Sequence, residues 1–203
     1  MEKKEYSHTT FTKKEMELVL LPVVGFIEFQ RICAAYDMAE SVHEYQFRND
    51  GSPYFYHCTR TARIIVELAG INDPDVLCAA LLHDVLEDSP ALSKEVLEYN
   101  FGAYTAYLVE LLTKDLTAQE LSPDDVDTNH AELLGRSPED ALIIKLSARL
   151  DNFRCLQFNL KRNPLRYIQT TTERYLPLAE EAQHPCIPIL LHELKNERNK
   201  FLG

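Results

Sequence analysis

The stretch CAALLHDVLEDSP, residues 78–90, decides how this chain is read. It runs apolar for five residues and then places His83, Asp84, Glu87 and Asp88 within six positions. At helical spacing His83 and Glu87 are four apart, as are Asp84 and Asp88, so neighbouring turns present imidazole and carboxylates on one broad face. Leu77, Leu81, Val85 and the alanines supply a packing face opposite. Three carboxylates this close repel one another and resist burial unless something positive sits among them. A divalent cation meets that need, and a mixed histidine–aspartate donor set suits a first-row metal such as manganese, iron or zinc. The competing reading is a solvated helix end, with the acids in water and His83 in the core.

Outward from this stretch, helical periodicity dominates. It predicts helices at roughly 12–28, 29–46, 54–69, 74–87, 93–101, 103–114, 126–135, 138–159, 164–183 and 186–201. The punctuation agrees. NDGSP (49–53) reads as a turn before a helix. GINDP (70–74) ends one helix at Gly70 and starts the next at Pro74, with Asp73 as N-cap. SPED (137–140) offers Ser137 as N-cap and Pro138 at the first helical position. Residues 115–137 are the most polar stretch and hold the candidate mobile loop, which raises the question of whether it closes over a site. Only six glycines occur, and alternating strand patterns with hairpin dipeptides are missing. The expected fold is all-α, a single helical-bundle domain of about eight to ten helices over 1–203, with no evident linker.

Bulk properties narrow the function. The 203 residues are 45% hydrophobic and 26% charged, as in ordinary globular chains. The net charge of −11 argues against nucleic acid or an anionic membrane as partner, and an anionic substrate would need a local basic lining. LVLLPVVGFIEF (18–29) is too short to span a bilayer and is interrupted by Pro22 and Gly25. The N-terminus lacks a signal peptide's apolar core. Five cysteines without CxxC spacing point to a reducing cytoplasm rather than a disulfide framework.

Two further segments add to the histidine–aspartate stretch. HEYQFRNDGSPYFYHCTRTARIIVELAG (43–70) supplies His57, 26 residues before His83, and ALIIKLSARLDNFRCLQ (141–157) supplies Lys145, Arg149, Asp151, Asn152 and Arg154. With these in view, the chain resembles the hydrolase domain of the RelA/SpoT family within the HD phosphohydrolase superfamily. The family pattern reads roughly R-x-x-G-x-P-Y-x-x-H, A-A-L-L-H-D-V-x-E-D, T-K, K-L-A-D-R-L-x-N and Y-x-P-L-A. The matching positions here are Arg48–Gly51–Pro53–Tyr54–His57, Ala79–Asp88, Thr113–Lys114, Lys145–Asn152 and Tyr175–Ala179, with a motif core over 43–179.

The resemblance implies an all-helical HD domain that binds one divalent metal, commonly manganese, through His57, His83 and Asp84. Glu87 and Asp88 would position or activate the attacking water. The implied reaction removes pyrophosphate from the 3′ position of ppGpp and pppGpp, and the short chain looks like a stand-alone form. Metal coordination brings water's pKa toward neutrality, and a nearby carboxylate can take its proton. Arg48, Lys145, Arg149, Asn152 and Arg154 are the candidates for substrate binding. Solvated helix charges are the competing reading for Lys145 and Arg154.

The sequence also departs from the pattern. Where K-L-A-D-R carries an aspartate, expected as fourth ligand, KLSAR has Ala148. Asp151 stands three residues on, about 60° around the helix and about 4.5 Å along it. Ile144, Ala148, Asp151 and Cys155 form a stripe distinct from the core stripe Leu142–Leu146–Leu150–Phe153. Asp151 is therefore either a substitute ligand or a hydrogen-bonding residue. In RNDG, Asn49 and Asp50 replace lysine and serine, which would weaken binding of a polyphosphorylated nucleotide if they touch it. Cys58 and His43 read as buried packing residues. Two other functions stay open: a degenerate HD-domain nucleotide-binding or protein-interaction module without metal, and an HD nucleotidase acting on another phosphate ester.

Overall fold

A computed structural model describes residues 6–114, 122–156 and 163–202. The described residues form twelve α-helical segments and one π-helical turn, with no strand beyond a single bridge between Phe47 and Pro53. The ten helices expected from periodicity become twelve because two of them are broken. Both breaks fall at the functional site.

The N-terminal hairpin shows how local signals set the elements. Thr12 caps α1 (Lys13–Val24) through a reciprocal box with Glu15. Gly25, at φ +81°, ends α1 and starts α2 (Phe26–Val42), a conformation that costs a residue with a Cβ and not glycine. A turn over 43–54 leads into α3 (Phe55–Glu67). Asp73 accepts from the backbone of Asp75 and Val76, and Pro74 opens α4 (Pro74–Leu82). Every residue of α4 from Val76 to Leu82 is buried. This helix is the centre of the bundle, packed against α2, α3 and α7 (Ala103–Leu112).

The first break comes here. The predicted helix 74–87 stops at Leu82, His83 and Asp84 form a turn, and α5 (Val85–Asp88) follows as a separate short helix. After α6 (Lys94–Phe101) and α7, the helix predicted at 126–135 is present and starts three residues earlier, within the polar stretch 115–137. Within it α8 covers Pro123–Gly135, while 115–121 lie outside the described residues. α9 (Glu139–Arg154) begins one residue later than predicted, because Ser137 bonds back to the Leu133 carbonyl and Pro138 takes the cap position. Its stripe Leu142, Leu146, Leu150 and Phe153 is buried as expected. α9 packs on α3 and on α12 (Ile187–Leu202).

The second break divides predicted helix 164–183 into α10 (Pro164–Thr170), a π turn (Thr171–Tyr175) and α11 (Leu176–Glu181). Pro177 has no N–H to give the carbonyl of residue 173, and Leu176 instead donates to the Thr171 carbonyl five residues back. No helix among the described residues is long and apolar enough to cross a membrane.

Candidate metal and substrate site

His57 sits in the first turn of α3, and His83 and Asp84 occupy the turn after α4. Packing of α3 on α4 brings them together. His57 Nε2 lies 3.3 Å from His83 Nε2, Asp84 Oδ2 is 3.2 Å from His83 Nε2, and it is 3.9 Å from His57 Nε2. These three are the one such ligand group among the described residues. The broken helix contributes directly: by leaving helical register at His83, the chain turns the two consecutive ligands toward one point.

The donor chemistry indicates what fits between them. His83 Nδ1 donates to the Ala80 carbonyl at 2.8 Å, and His57 Nδ1 donates to the Asp151 carboxylate at 2.7 Å. Both rings therefore carry a proton on Nδ1 and turn Nε2 toward each other and toward a carboxylate. Two imidazole nitrogens with one carboxylate oxygen at one point suit a divalent first-row ion, which would displace any proton shared among them. Burial pushes the His57 pKa down to about 4. Burial works the same way on His83, but the adjacent Asp84 outweighs it and raises that pKa. Burial favours protonation of Asp84, yet His83, His57 and the Tyr54 hydroxyl, which donates to it at 2.5 Å, hold its pKa well below the carboxylate range.

A cavity of about 290 Å³ opens from this group. Its lining combines a ligand set, His57, His83, Asp84 and Glu87, here the metal end, with a cationic set, Lys114, Lys145, Arg149 and Arg166, here the basic end; Asp127, Asn152, Tyr167 and Ala148 also line it. Glu87 accepts from the Lys114 backbone at 2.7 Å, and burial together with Asp84 raises its pKa. Lys145 is pushed down to about 7, first by burial and then by Lys114 and Arg149. The Arg149 guanidinium carbon lies 3.7 Å from the Tyr175 ring centroid and 4.8 Å from that of Tyr167, and Nη1 donates to the Thr171 hydroxyl at 2.6 Å. The π turn thus forms the cradle of Arg149, which gives the Tyr175–Ala179 motif a structural purpose.

Not every expected residue reaches the cavity. Asp88 is outside the lining, with its carboxylate 3.5 Å from His43. Arg154, expected at the substrate, instead pairs with Glu193 and Glu197 of α12, because its position on α9 faces the C-terminal helix. Arg48 is buried just behind the lining, donating to Asn152 at 3.2 Å over the Tyr54 ring. Asp151, expected as substitute ligand or hydrogen-bonding residue, lies behind His57 on the Nδ1 side, outside the three-ligand group. Asp50 accepts from the backbone N–H and hydroxyl of Ser52, so its charge serves the turn and not the cavity. His43 and Cys58 are buried, as read from sequence.

Several lining residues had no sequence signal of their own. Asp127 pairs with Lys114, and Arg166 approaches Asp127 at 3.9 Å; these residues come from α8 and α10, remote from the quoted motifs. Lys114 was part of a matched doublet but had no role. Arg60 shares a face with His57 at helical spacing, yet its partner Asp151 is 91 residues away.

Residues 35–182 match the HD domain family. The chain belongs to that family. Within it, the relatives place this HD domain on the RelA/SpoT branch. The human protein named guanosine-3′,5′-bis(diphosphate) 3′-pyrophosphohydrolase MESH1 is 39% identical over 131 residues, covering 64% of this chain and 71% of the relative. A guanosine-3′,5′-bis(diphosphate) 3′-pyrophosphohydrolase of Aquifex aeolicus is 35% identical over 152 residues, and the bifunctional (p)ppGpp synthase/hydrolase SpoT of Escherichia coli is 32% identical over 173. The match spans 21% and 23% of those two longer proteins. A solved structure described as a metazoan ortholog of SpoT that hydrolyzes ppGpp superposes with a TM-score of 0.72 at 28% identity, covering 84% of this chain and 95% of that one.

Proposed function

We propose that this HD-domain protein is a metal-dependent phosphohydrolase that removes the 3′-pyrophosphate of (p)ppGpp. The observation that carries this reading is the pair of Nε2 atoms 3.3 Å apart beside Asp84, opening onto a cavity that Lys114, Lys145, Arg149 and Arg166 also line. The relatives' names support the substrate class. A degenerate module without metal would have little physical use for two inward-facing imidazole nitrogens and a carboxylate converging on one point. His57, His83 and Asp84 would hold one divalent ion, manganese in the first instance. When bound, it supplies Lewis-acid polarisation of a phosphoryl oxygen and acidifies water.

The remaining work falls to the chain's own groups. Glu87 is the proton acceptor in this reading; its raised pKa makes it a stronger base than an exposed glutamate while it lines the same cavity. Lys145, Arg149 and Arg166 bind phosphate oxygens and offset the negative charge of the whole molecule. Arg149 is held by two tyrosine rings and the Thr171 hydroxyl, so its fork is oriented before substrate arrives. Asn152 bridges Arg48 and Tyr167 along the wall between the two ends. Asp88 acts at one remove, through His43 and the ligand turn. Arg48 supports Asn152 from behind. A cytoplasmic setting belongs to this proposal and is supported by five free cysteines, four of them buried.

The test is incubation of purified protein with manganese and ppGpp, with products resolved by anion exchange. Pyrophosphate and GDP in equal amounts are expected. Intact ppGpp overturns the substrate, and turnover of simple nucleoside monophosphates in its place favours the broader nucleotidase reading.

A further inference from the structure

Ala148 and Asp151 lie one turn apart on the same stripe of α9 but face different surroundings. Ala148 lines the cavity beside the three ligand groups, where the family pattern has an aspartate. Asp151 is fully buried behind the His57 ring. We infer that Asp151 is a positioning residue acting through His57, and that alanine at 148 leaves a bound ion three protein ligands and an extra open coordination position facing the cavity. The inference rests on the metal-dependent reading above but not on its substrate.

The hydrogen-bond inventory excludes direct ligation. Asp151 Oδ1 accepts from the Tyr6 hydroxyl at 2.9 Å and from Arg60 Nε at 2.6 Å. Oδ2 accepts from His57 Nδ1 at 2.7 Å and from Arg60 Nη2 at 3.2 Å. A carboxylate offers about four lone-pair sites. Four donors occupy them, and Arg48 Nη2 adds positive charge 3.7 Å from Oδ2. The ion must also sit at Nε2, on the other side of the imidazole from this carboxylate.

Arg60 is equally committed. Beyond its two bonds to Asp151, Nη1 donates to the carbonyls of Ser7 and Thr9, each at 2.8 Å, and Nη2 reaches Cys155 Sγ at 3.8 Å. Those contacts use all five guanidinium donors. The N-terminal arm, Arg60 and Asp151 therefore form a chain of fixed groups ending on His57 Nδ1. A carboxylate in that position fixes the ligand tautomer, aims the ring and makes Nε2 a better donor. It strengthens one ligand where the alanine has removed another.

Cobalt(II) tests this without any nucleotide. Binding is followed by the visible absorption of the cobalt protein, which reports the ligand set, while titration gives the Kd. Asp151→Asn is expected to raise the Kd about tenfold to a hundredfold with the band positions unchanged. Ala148→Asp is expected to shift the bands and lower the Kd, because it puts a carboxylate into the open position. An unchanged Kd for Asp151→Asn, or bands that shift as for a lost ligand, overturns the positioning role. Unshifted bands in Ala148→Asp overturn the open position.

Should Asp151→Asn fail to fold, nitrogen-15 spectra of the native metal-free protein carry the test: the His57 proton is expected on Nδ1, and a proton on Nε2 overturns the inference. Native protein that binds no cobalt sinks the metal-dependent reading itself. Cobalt binding that is indifferent to Asp151 sinks only this inference.

Discussion

The two ends of the cavity are built on different principles. At the metal end, His57, His83 and Asp84 are short side chains on one packed pair of helices, and each has a partner behind it: Asp151, the Ala80 carbonyl and Tyr54. At the basic end, Lys114, Lys145, Arg149 and Arg166 are long side chains from three separate parts of the chain, held by ion pairs to Asp127 and by aromatic faces. Coordination bonds tolerate deviations of about 0.2 Å, so one end has to be rigid. Phosphate recognition by flexible cations tolerates far more, so the other end can be assembled from distant parts. The metal end should fail abruptly when altered, and the basic end by degrees.

The largest expected effect breaks the metal end. His83→Ala should weaken metal binding by well over a hundredfold, more than loss of a ligand's supporting partner costs, and remove turnover with it. Elemental analysis and initial rates check this, and retained turnover would contradict the ligand assignment. Lys145→Met, at the basic end, should raise KM about tenfold to a hundredfold, the cost of about 1.5–3 kcal/mol for one hydrogen bond to a charged group. Its metal Kd should stay put; a parallel loss of metal would show that the two ends are not separable.

Acid sharpens the contrast further. His130, behind the basic end, is pushed down to about 2, first by burial and then by Lys145 and Lys114. It takes a proton in the unfolded chain near pH 6.5 but not in the folded one, so its stabilisation is full above that pH and fades as pH falls toward 2. Asp151, behind the metal end, is depressed despite its burial by Arg60 and His57, so its share is present above about pH 4 and fades only below it. Thermal melting should therefore fall first between pH 6.5 and 4, by up to about 1.4 kcal/mol per pH unit for each histidine held neutral, and His130→Gln should make that limb shallower while leaving the share of His57. A flat profile in the native protein would show that His130 is not held neutral. The smallest effect is at Arg154, whose partly exposed pairs with Glu193 and Glu197 lie away from the cavity. Arg154→Ala should leave kcat and KM unchanged and cost about 0–1 kcal/mol in urea unfolding.

The same contrast explains what the sequence disclosed. His83, Asp84 and Glu87 are adjacent, so a short string carries most of the metal end, and periodicity carries α4 and α9 around it. The helix break at His83 was invisible because Ala79–Asp88 keeps helical spacing throughout; only the packed structure shows the turn. Asp151 could be assigned to the correct stripe of α9, but its role depends on how α9 is rotated against α3 and on Arg60. Arg154 and Lys145 read alike as helix cations, and only packing separates them, Lys145 lining the cavity and Arg154 pairing with α12. Arg166 and Asp127 had no neighbouring motif to announce them, because their meaning comes from α8 and α10 folding over the cavity.

The Ser7 and Thr9 carbonyls that grip Arg60 make the amino-terminal arm a keystone for an ion it never touches. A fusion partner that drags this arm off its seat, or a protease that clips it after Thr9, would leave the histidine–aspartate motif intact in sequence and slack in space. Assays comparing proteins that differ only ahead of Thr10 would then register differences in metal retention that no inspection of the motif could foresee.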